Sequence, residues 1–507
     1  MHYCLPPLER FDLGDVLALI EQQKYLVLHA PRQTGKTSCL LALAEYLNEQ
    51  GRSLALYANI ESAQVARDDY ERGIPAIVYS IAMAARDRLN DEAAEPLAHQ
   101  LVTSRPALTV LQEFLTLWCK RSPRPVVLML DEVDALVGDT LISLLRQLRA
   151  GYTNRPAQFP QSVILCGVRD VRDYRIHSDR EKAIITGGSA FNIKAESLRL
   201  GDFNQEEVSR LYQQHTAASG QVFTAEALAL AWELTRGQPW LVNALAYEAC
   251  FKMKAGRERS RPISAASFQE AKESLIQRRE THLDQLADKL QEPRVRRVIE
   301  PILLGEMYEK DFNPLDVQYL VDLGLLRQAQ SGEMQIANPI YQEVIPRELT
   351  WGVQSGMALN SAWYLRPDGK LDMAKLLAAF QEFFREHSEH WVERFDYKEA
   401  GPQLLLQAFL QRIVNGGGRV EREYGLGRLR TDLLVLWPRP QGSEREAQRV
   451  VIELKLLNGT LEKTLDAIEK VKPKWVCSWN KPTISRTRVS GSASPIAVKS
   501  RSRLNRP

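Results

Sequence analysis

Tyr25-Leu26-Val27-Leu28-His29, then Ala30-Pro31-Arg32-Gln33-Thr34-Gly35-Lys36-Thr37-Ser38, then Cys39-Leu40-Leu41-Ala42-Leu43-Ala44, is the stretch that decides the fold. The first segment is a short apolar run fit for a buried parallel strand. The last opens a helix. Strand, turn and helix in that order are the context a phosphate-binding loop requires. Each residue type has a physical reason. Gly35 lets the backbone turn sharply and approach phosphates. The loop N–H groups and the helix N-terminus offer partial positive charge to an anion. Lys36 is placed to reach the β- and γ-phosphates of a nucleotide and Thr37 to ligate magnesium. Residues 30–38 are therefore the predicted nucleotide-contacting set. Ala30 stands where the full pattern has its first glycine, so the loop entry is expected to differ slightly.

A second half-site lies about a hundred residues on. Val126-Val127-Leu128-Met129-Leu130-Asp131-Glu132-Val133-Asp134 is a hydrophobic strand ending in acids. Acids at the C-terminal edge of a parallel sheet face the ligand crevice. Asp131 is predicted to hold magnesium, through water, and Glu132 to polarise the attacking water. Asp134 either joins them or caps the next helix. A third strand over 162–167 ends in Val168-Arg169-Asp170. Arg169 and Arg172 are candidates for sensing a γ-phosphate or for surface salt bridges. Arg146, Arg149 and Arg155 are candidates for an arginine finger, or plain helix-surface residues.

On residues 30–37, Leu130-Asp131-Glu132 and a later Gly237-Gln238-Pro239, the chain resembles the AAA-like P-loop ATPases of the broad AAA+/STAND group. The resemblance implies ATP and Mg2+ as cofactors. It also implies a helical lid whose Gly-x-Pro element brings Pro239 to the nucleotide. Read locally, the same triplet is helix punctuation between 225–235 and 240–247. Asn204-Gln205-Glu206-Glu207 has the pattern of a capping box.

The remaining chain suggests further modules. Residues 314–324 suit a helix ended by Gly324, and 325–329 with 334–337 suit a hairpin, before a helix starting at Asn338-Pro339. Helix then wing resembles a winged-helix domain. The helix carries Asp316 and Asp322 and no Lys or Arg, the wrong charge for phosphate contact, so intramolecular packing is expected of it. Further on, an amphipathic helix over 403–410 precedes strand-like runs at 419–424, 430–437 and 449–456. The second run carries Asp432 and the third Glu453-Leu454-Lys455. This order resembles the PD-(D/E)xK nuclease fold, which implies Asp432 and Glu453 as magnesium ligands and Lys455 beside the attacking water. Glu399 and Glu421 are weaker candidate ligands. The alternative is a buried ion pair without chemistry.

Composition narrows the class. A chain of 507 residues with 44% hydrophobic and 25% charged residues is ordinary multidomain globular protein. Net charge is +3, too small to announce a nucleic-acid partner. No apolar run approaches about 18 residues and no signal segment opens the chain, so no membrane role is expected. Six scattered cysteines without a CxxC pair support neither zinc knuckle nor disulfide framework, and fit a cytoplasmic protein. Residues 471–507 hold nine Lys or Arg and no acid. They read as a disordered basic tail, either the product of a shifted reading frame or a nucleic-acid-docking tail. The first strand–helix context begins very close to Met1, where the related ATPases carry a preceding strand or turn near the adenine, so the N-terminus is expected to be clipped.

The expected architecture is α/β. A P-loop parallel-sheet core spans 1–200, a helical lid 201–285 and a winged helix 286–350. A helical linker spans 351–395, the nuclease-like module 396–470 and the basic tail 471–507. The expected function is magnesium-dependent ATP hydrolysis that drives or switches the C-terminal module. Two alternatives stand: an ATP-controlled DNA nuclease of defence or a mobile element, and a STAND-like switch that forms ATP-dependent homo-oligomers without cleaving DNA.

Overall fold

The computed structural model describes residues 3–170, 175–178, 183–186, 194–278, 281–304, 312–329, 332, 334–349, 364–366, 368–380, 406, 409–410, 419–426, 429–437, 448–456, 484–489 and 496–503. They fall into two compact units. One comprises Met1–Arg278 with Asn313–Arg327, the other Arg279–Phe312 with Gln328–Pro507.

The first unit is built on a five-stranded sheet. In chain order come α1 (Leu13–Glu21), β1 (Tyr25–His29), α2 (Lys36–Gln50), β2 (Leu54–Asn59), α3 (Tyr70–Leu89), α4 (Ala94–Ser104) and α5 (Ala107–Arg121). Then follow β3 (Val126–Asp131), α6 (Gly138–Ala150) and β4 (Ser162–Gly167). An antiparallel hairpin that sequence reading does not foresee, β5 (Arg175–Ser178) with β6 (Ala183–Thr186), precedes β7 (Lys194–Arg199). The spatial order is β2-β3-β4-β1-β7, and every pairing is parallel. A parallel five-stranded sheet with helices on both faces is the α/β fold expected from the phosphate loop.

The side-chain pattern explains the layering. All six residues of β3 are buried, as a central parallel strand requires. Successive side chains still alternate between faces. Leu128 and Leu130 enter one core with Ile74, Ile77, Phe114 and Trp118 of α3 and α5. Val127 and Met129 enter the other with Val16, Ile20, Cys39 and Leu40 of α1 and α2. Each such side chain contributes about 1.5–3 kcal/mol of burial free energy, so the sheet edge that carries the polar residues stands on two packed layers.

Four helices follow, α7 (Gln205–Ser219), α8 (Ala225–Thr235), α9 (Pro239–Tyr247) and α10 (Ala265–Arg278). The predicted capping box is present: Asn204 Oδ1 accepts from Glu207 N at 2.9 Å, and Glu207 Oε2 from Asn204 N at 2.7 Å. Helix α9 starts one residue earlier than predicted, because Pro239 fits the first helical position and Gln238 caps it through Leu241 N. The returning helix Pro314–Asp322 is capped by Asn313 and followed by Gly324 in the left-handed region, φ 74°.

The second unit contains the helices Thr281–Lys289, Pro293–Leu304 and Pro339–Leu349. His282 Nε2 and Tyr341 OH meet at 2.6 Å in its interior. Strands β8 (Leu326–Gln328) and β9 (Met334–Ile336) form the expected hairpin. Of the helix expected over 403–410, only residues 406, 409 and 410 are described, and they are helical. Strands β10 (Arg419–Leu426), β11 (Leu429–Trp437) and β12 (Gln448–Leu456) lie near their predicted positions and pair antiparallel.

The reading of 471–507 as a disordered tail meets a contrary observation. Strands β13 (Ile484–Val489) and β14 (Ile496–Arg503) lie within it, and β14 pairs antiparallel with β12, in the order β10-β11-β12-β14-β13. Ladder pairing uses backbone N–H and C=O groups that every residue here but proline supplies in full. A polar, basic strand with little hydrophobic alternation is therefore invisible to pattern reading.

Candidate functional site

The phosphate loop joins the end of β1 to the start of α2. Gly35 sits at the α2 N-cap with φ 91°, and Gln33 also has positive φ, 58°. A left-handed non-glycine residue is uncommon, and such positions cluster at ligand-binding turns. Ala30 directly follows β1. It is fully buried, and its N–H donates to Gly167 O at 3.2 Å, extending the β1–β4 pairing by one residue. Lys36 is 7% exposed, and its Nζ donates to Ala30 O at 3.0 Å and Pro31 O at 2.9 Å. Thr34 Oγ1 donates to Pro31 O at 2.8 Å. Arg32, Gln33, Thr37 and Ser38 are exposed, and Pro31 is buried.

The acids stand beside this loop. Thr37 Oγ1 donates to Asp131 Oδ2 at 2.7 Å, so the two predicted magnesium ligands are in contact. Asp131 is 1% exposed and is held from two further sides. Tyr57 of β2 donates its hydroxyl to Oδ2 at 3.0 Å, and Glu132 N donates to Oδ1 at 3.0 Å. Tyr57 has no local sequence signal. Its role arises because β2 pairs with β3 in register, Tyr57 opposite Met129. Burial, then the Asp131 carboxylate, pushes the Tyr57 hydroxyl well above its ordinary range, so it stays a donor. Glu132 is left-handed, φ 63°. Burial raises the pKa of its carboxyl, helped by Asp134 and Asp131 and opposed by Lys36. Asp134 does not cap α6. It accepts from Val168 N at 3.0 Å and ties the ends of β3 and β4 together.

The donor set fits a small hard cation, which takes oxygen ligands. Among the described residues no three His, Cys, Asp or Glu side chains converge on one metal position. A cation here would thus draw further oxygens from a phosphate ligand and water.

A cleft of about 220 Å³ opens on the other side of the loop. It is lined by Thr34, Gly35 and Ser38 of the loop and α2, by Pro239 and Trp240, and by residues of the N-terminal segment. The N-terminal segment is part of this lining through Tyr3, Leu5 and Pro7, and Gln214 fastens the segment through paired hydrogen bonds to the backbone of Cys4 at 3.1 and 3.0 Å. Arg10 braces the loop, donating to Thr34 O at 3.0 Å and Gly201 O at 2.6 Å while lying over the Phe203 ring. Nothing in the local sequence around Arg10 marks it.

The Gly237-Gln238-Pro239 turn is fixed by close approach. Gly237 has φ 80°, and a Cβ there would lie 1.7 Å from Phe203 O. Gly237→Ala is expected to destabilise the protein by roughly 3 kcal/mol, combining a clash with left-handed strain. A melting temperature within a degree of the parent would contradict this placement.

Of the candidate arginines, Arg169 pairs with Asp322 at 3.4 Å. Arg172 lies outside the described residues. Arg146 and Arg149 are exposed on α6. Arg155 is engaged elsewhere, donating to Gln23 O and Tyr152 O and stacking on the Tyr152 ring, next to the start of β1 rather than the phosphate loop.

In the second unit, Leu433 of β11 faces Ile452 of β12. Asp432 and Glu453 occupy the next position on each strand, and Lys455 lies two residues beyond Glu453. Their side chains, with those of Glu399 and Glu421, lie outside the described residues.

Comparison with known proteins agrees with the first unit. Residues 20–174, under a third of the chain, match a family model described as an AAA domain. That segment is similar to an AAA domain. No curated protein matches the chain. Among solved structures, a Walker-type ATPase of Pyrococcus abyssi is 16% identical over 66% of this chain and 95% of its own, with a TM-score of 0.46. Cdc6p of Pyrobaculum aerophilum is 15% identical over 69% and 96%, TM-score 0.35. The RuvB Holliday junction branch migration motor of Thermotoga maritima is 11% identical over 66% and 96%, TM-score 0.33.

Proposed function

We propose that the first unit binds ATP with magnesium and hydrolyses it. The observation that carries this reading is the meeting of the two half-sites on one sheet edge, Thr37 Oγ1 lying 2.7 Å from Asp131 Oδ2 with Lys36 and Glu132 alongside. The cleft between the N-terminal segment and Pro239 takes the base and ribose. The loop amides and the α2 N-terminus take the phosphates. Lys36 exchanges its contacts with the Ala30 and Pro31 carbonyls for the β- and γ-phosphate oxygens. Thr37 and Asp131 would hold magnesium, which when bound neutralises phosphate charge. Tyr57 and the Glu132 amide fix the Asp131 carboxylate. Glu132 accepts a hydrogen bond from the attacking water and then its proton. Equilibrium dialysis with labelled ATP tests the binding step: saturable, magnesium-sensitive binding is expected, and none would refute the reading.

The electrostatics of Glu132 predict a pH effect. A general base must be deprotonated, and a raised pKa moves the acid limb of kcat/KM for ATP to higher pH. Asp134→Asn removes one raising charge, so the limb should shift to lower pH. A shift to higher pH, or none, would contradict the assignment.

We further propose that the second unit carries a PD-(D/E)xK nuclease-like module under ATP control, supported by the facing positions of Asp432 and Glu453 on adjacent strands. Lys455 would position the attacking water. DNA is then its substrate, and magnesium-dependent plasmid nicking should vanish in Asp432→Ala and Glu453→Ala. If no nucleotide state gives cleavage, a switch that self-assembles with ATP is the better reading, and Glu453→Ala would leave that assembly unchanged. The succession of the Pro314–Asp322 helix, β8, β9 and the helix Pro339–Leu349 supports a winged-helix arrangement used for packing rather than DNA contact. No helix among the described residues is long and apolar enough to cross a membrane. The free cysteines Cys4, Cys39, Cys119, Cys166 and Cys250 fit a cytoplasmic setting.

A further inference from the structure

We propose that the surface formed by Tyr247 and Phe251 with the cations around them is a binding site for single-stranded nucleic acid. It is separate from the nucleotide cleft and does not rest on the ATP reading.

One helix and the turn that ends it place the site. Helix α9 begins at Pro239, which lines the nucleotide cleft, and ends at Tyr247, about 13 Å further along its axis. The chain continues through a single widened turn, Glu248–Lys252, closed by Met253 N donating to Glu248 O at 3.0 Å. Such π turns recur at functional sites. Residues four apart share a helix face, and Tyr247 and Phe251 do so here. Their rings are stacked, with centroids 5.6 Å apart and an interplanar angle of 25°. Both are exposed, Tyr247 at 54% and Phe251 at 37%.

The pair is braced from within its own unit. The His215 ring meets Phe251 edge-on at 5.3 Å, and the Arg259 guanidinium lies 4.7 Å from the Phe251 centroid. Arg259 is itself fixed, donating to Gln221 Oε1 at 2.7 Å and Cys250 O at 3.1 Å. A preorganised ring loses little freedom when another ring stacks on it.

The charge around the pair is one-sided. Residues 247–261 hold Lys252, Lys254, Arg257, Arg259 and Arg261 against two acids, a net charge equal to the +3 of all 507 residues. One of those acids is withdrawn from the surface. Glu248 is 2% exposed and accepts from Ser274 Oγ at 2.7 Å and Arg278 Nη1 at 2.9 Å. Lys252, Lys254, Arg257 and Arg261 are exposed. Lys252 Nζ stands 5.5 Å from the Tyr247 centroid. Arg257 is tied to the same turn, donating to Phe251 O at 2.9 Å and Lys252 O at 3.2 Å. Exposed rings among cations match a ligand that alternates planar bases with phosphates. A duplex keeps its base faces within its own stack. An acidic peptide or a lipid headgroup offers charge without a repeated flat ring.

Fluorescence anisotropy with the full chain, in EDTA to block cleavage, tests the site with labelled 20-mers of deoxythymidine and of uridine. Saturable binding of either supports it, and the tighter one shows which sugar it prefers. Tyr247→Ala should weaken binding about tenfold, the loss of one stacked base. Tyr247→Phe keeps the ring and should stay within about twofold of the parent chain. Lys252→Gln combined with Lys254→Gln should lower the slope of log K against log salt by about 1.4, two phosphate contacts on a single strand. Phe251→Ala should resemble Tyr247→Ala. Phe251 also packs on His215, so if a melting curve shows that this variant folds poorly, Tyr247→Ala decides. Ultraviolet crosslinking of a 5-iododeoxyuridine 20-mer should mark the peptide spanning 247–261. No binding by the parent chain would overturn the proposal. So would unchanged affinity in Tyr247→Ala with crosslinks confined to other peptides, which would place the strand elsewhere. Capture by phosphatidylserine vesicles without oligonucleotide binding would overturn it in favour of a membrane surface.

Discussion

Lys36→Ala is expected to weaken ATP binding at least about tenfold and to cut hydrolysis by about 10²–10³-fold, the loss typical of removing one preorganised charge donor. The structure explains why this side chain has no substitute in the loop. Its ammonium is nearly buried and reaches two loop carbonyls, Ala30 O and Pro31 O, at 3.0 and 2.9 Å. Arg32 is exposed, and Arg10 is committed to Thr34 O, Gly201 O and the Phe203 ring. Alanine leaves the carbonyls with one fewer donor, so the loop should also lose roughly 1–3 kcal/mol of local stability. Titration calorimetry with ATP and a melting curve separate the two effects. ATP affinity within twofold of the parent chain would mean that the phosphates bind elsewhere.

Glu132→Gln should behave differently. The amide keeps the shape of the carboxylate, so ATP binding is expected to survive. Hydrolysis should fall by about 10²–10⁴-fold, the range of a lost general base. The left-handed backbone at Glu132 and the crowding by Asp131 and Asp134 support that role. Single-turnover release of phosphate from prebound ATP is the direct readout. Turnover within a few-fold of the parent chain would remove Glu132 from the chemistry.

The two half-sites were legible in the sequence because each is local. A phosphate loop needs its glycine, lysine and threonine in consecutive positions, and a buried strand ending in Asp131 and Glu132 announces itself by its apolar run. The capping box at Asn204 and the turn at Gly237 were legible for the same reason. What escaped was made by packing between distant segments. Tyr57 reaches Asp131 only because β2 and β3 are paired, and Arg10 reaches the loop from a short N-terminal turn. Asp134 has the spacing of a helix cap yet faces Val168, since the chain bends through a short 3-10 turn after Glu132. The pairing of Arg169 with Asp322 joins residues more than 150 positions apart. Strand β14 escaped because its pairing partner, not its own side chains, defines it.

The most direct measurement is steady-state release of inorganic phosphate from ATP by the purified full chain, with and without magnesium and with and without DNA. Magnesium-dependent turnover that is abolished in Lys36→Ala and Glu132→Gln is the predicted result. Turnover that persists in Lys36→Ala, or the absence of both binding and turnover in the parent chain, would contradict the assignment of this sheet edge as an ATP-hydrolysing site.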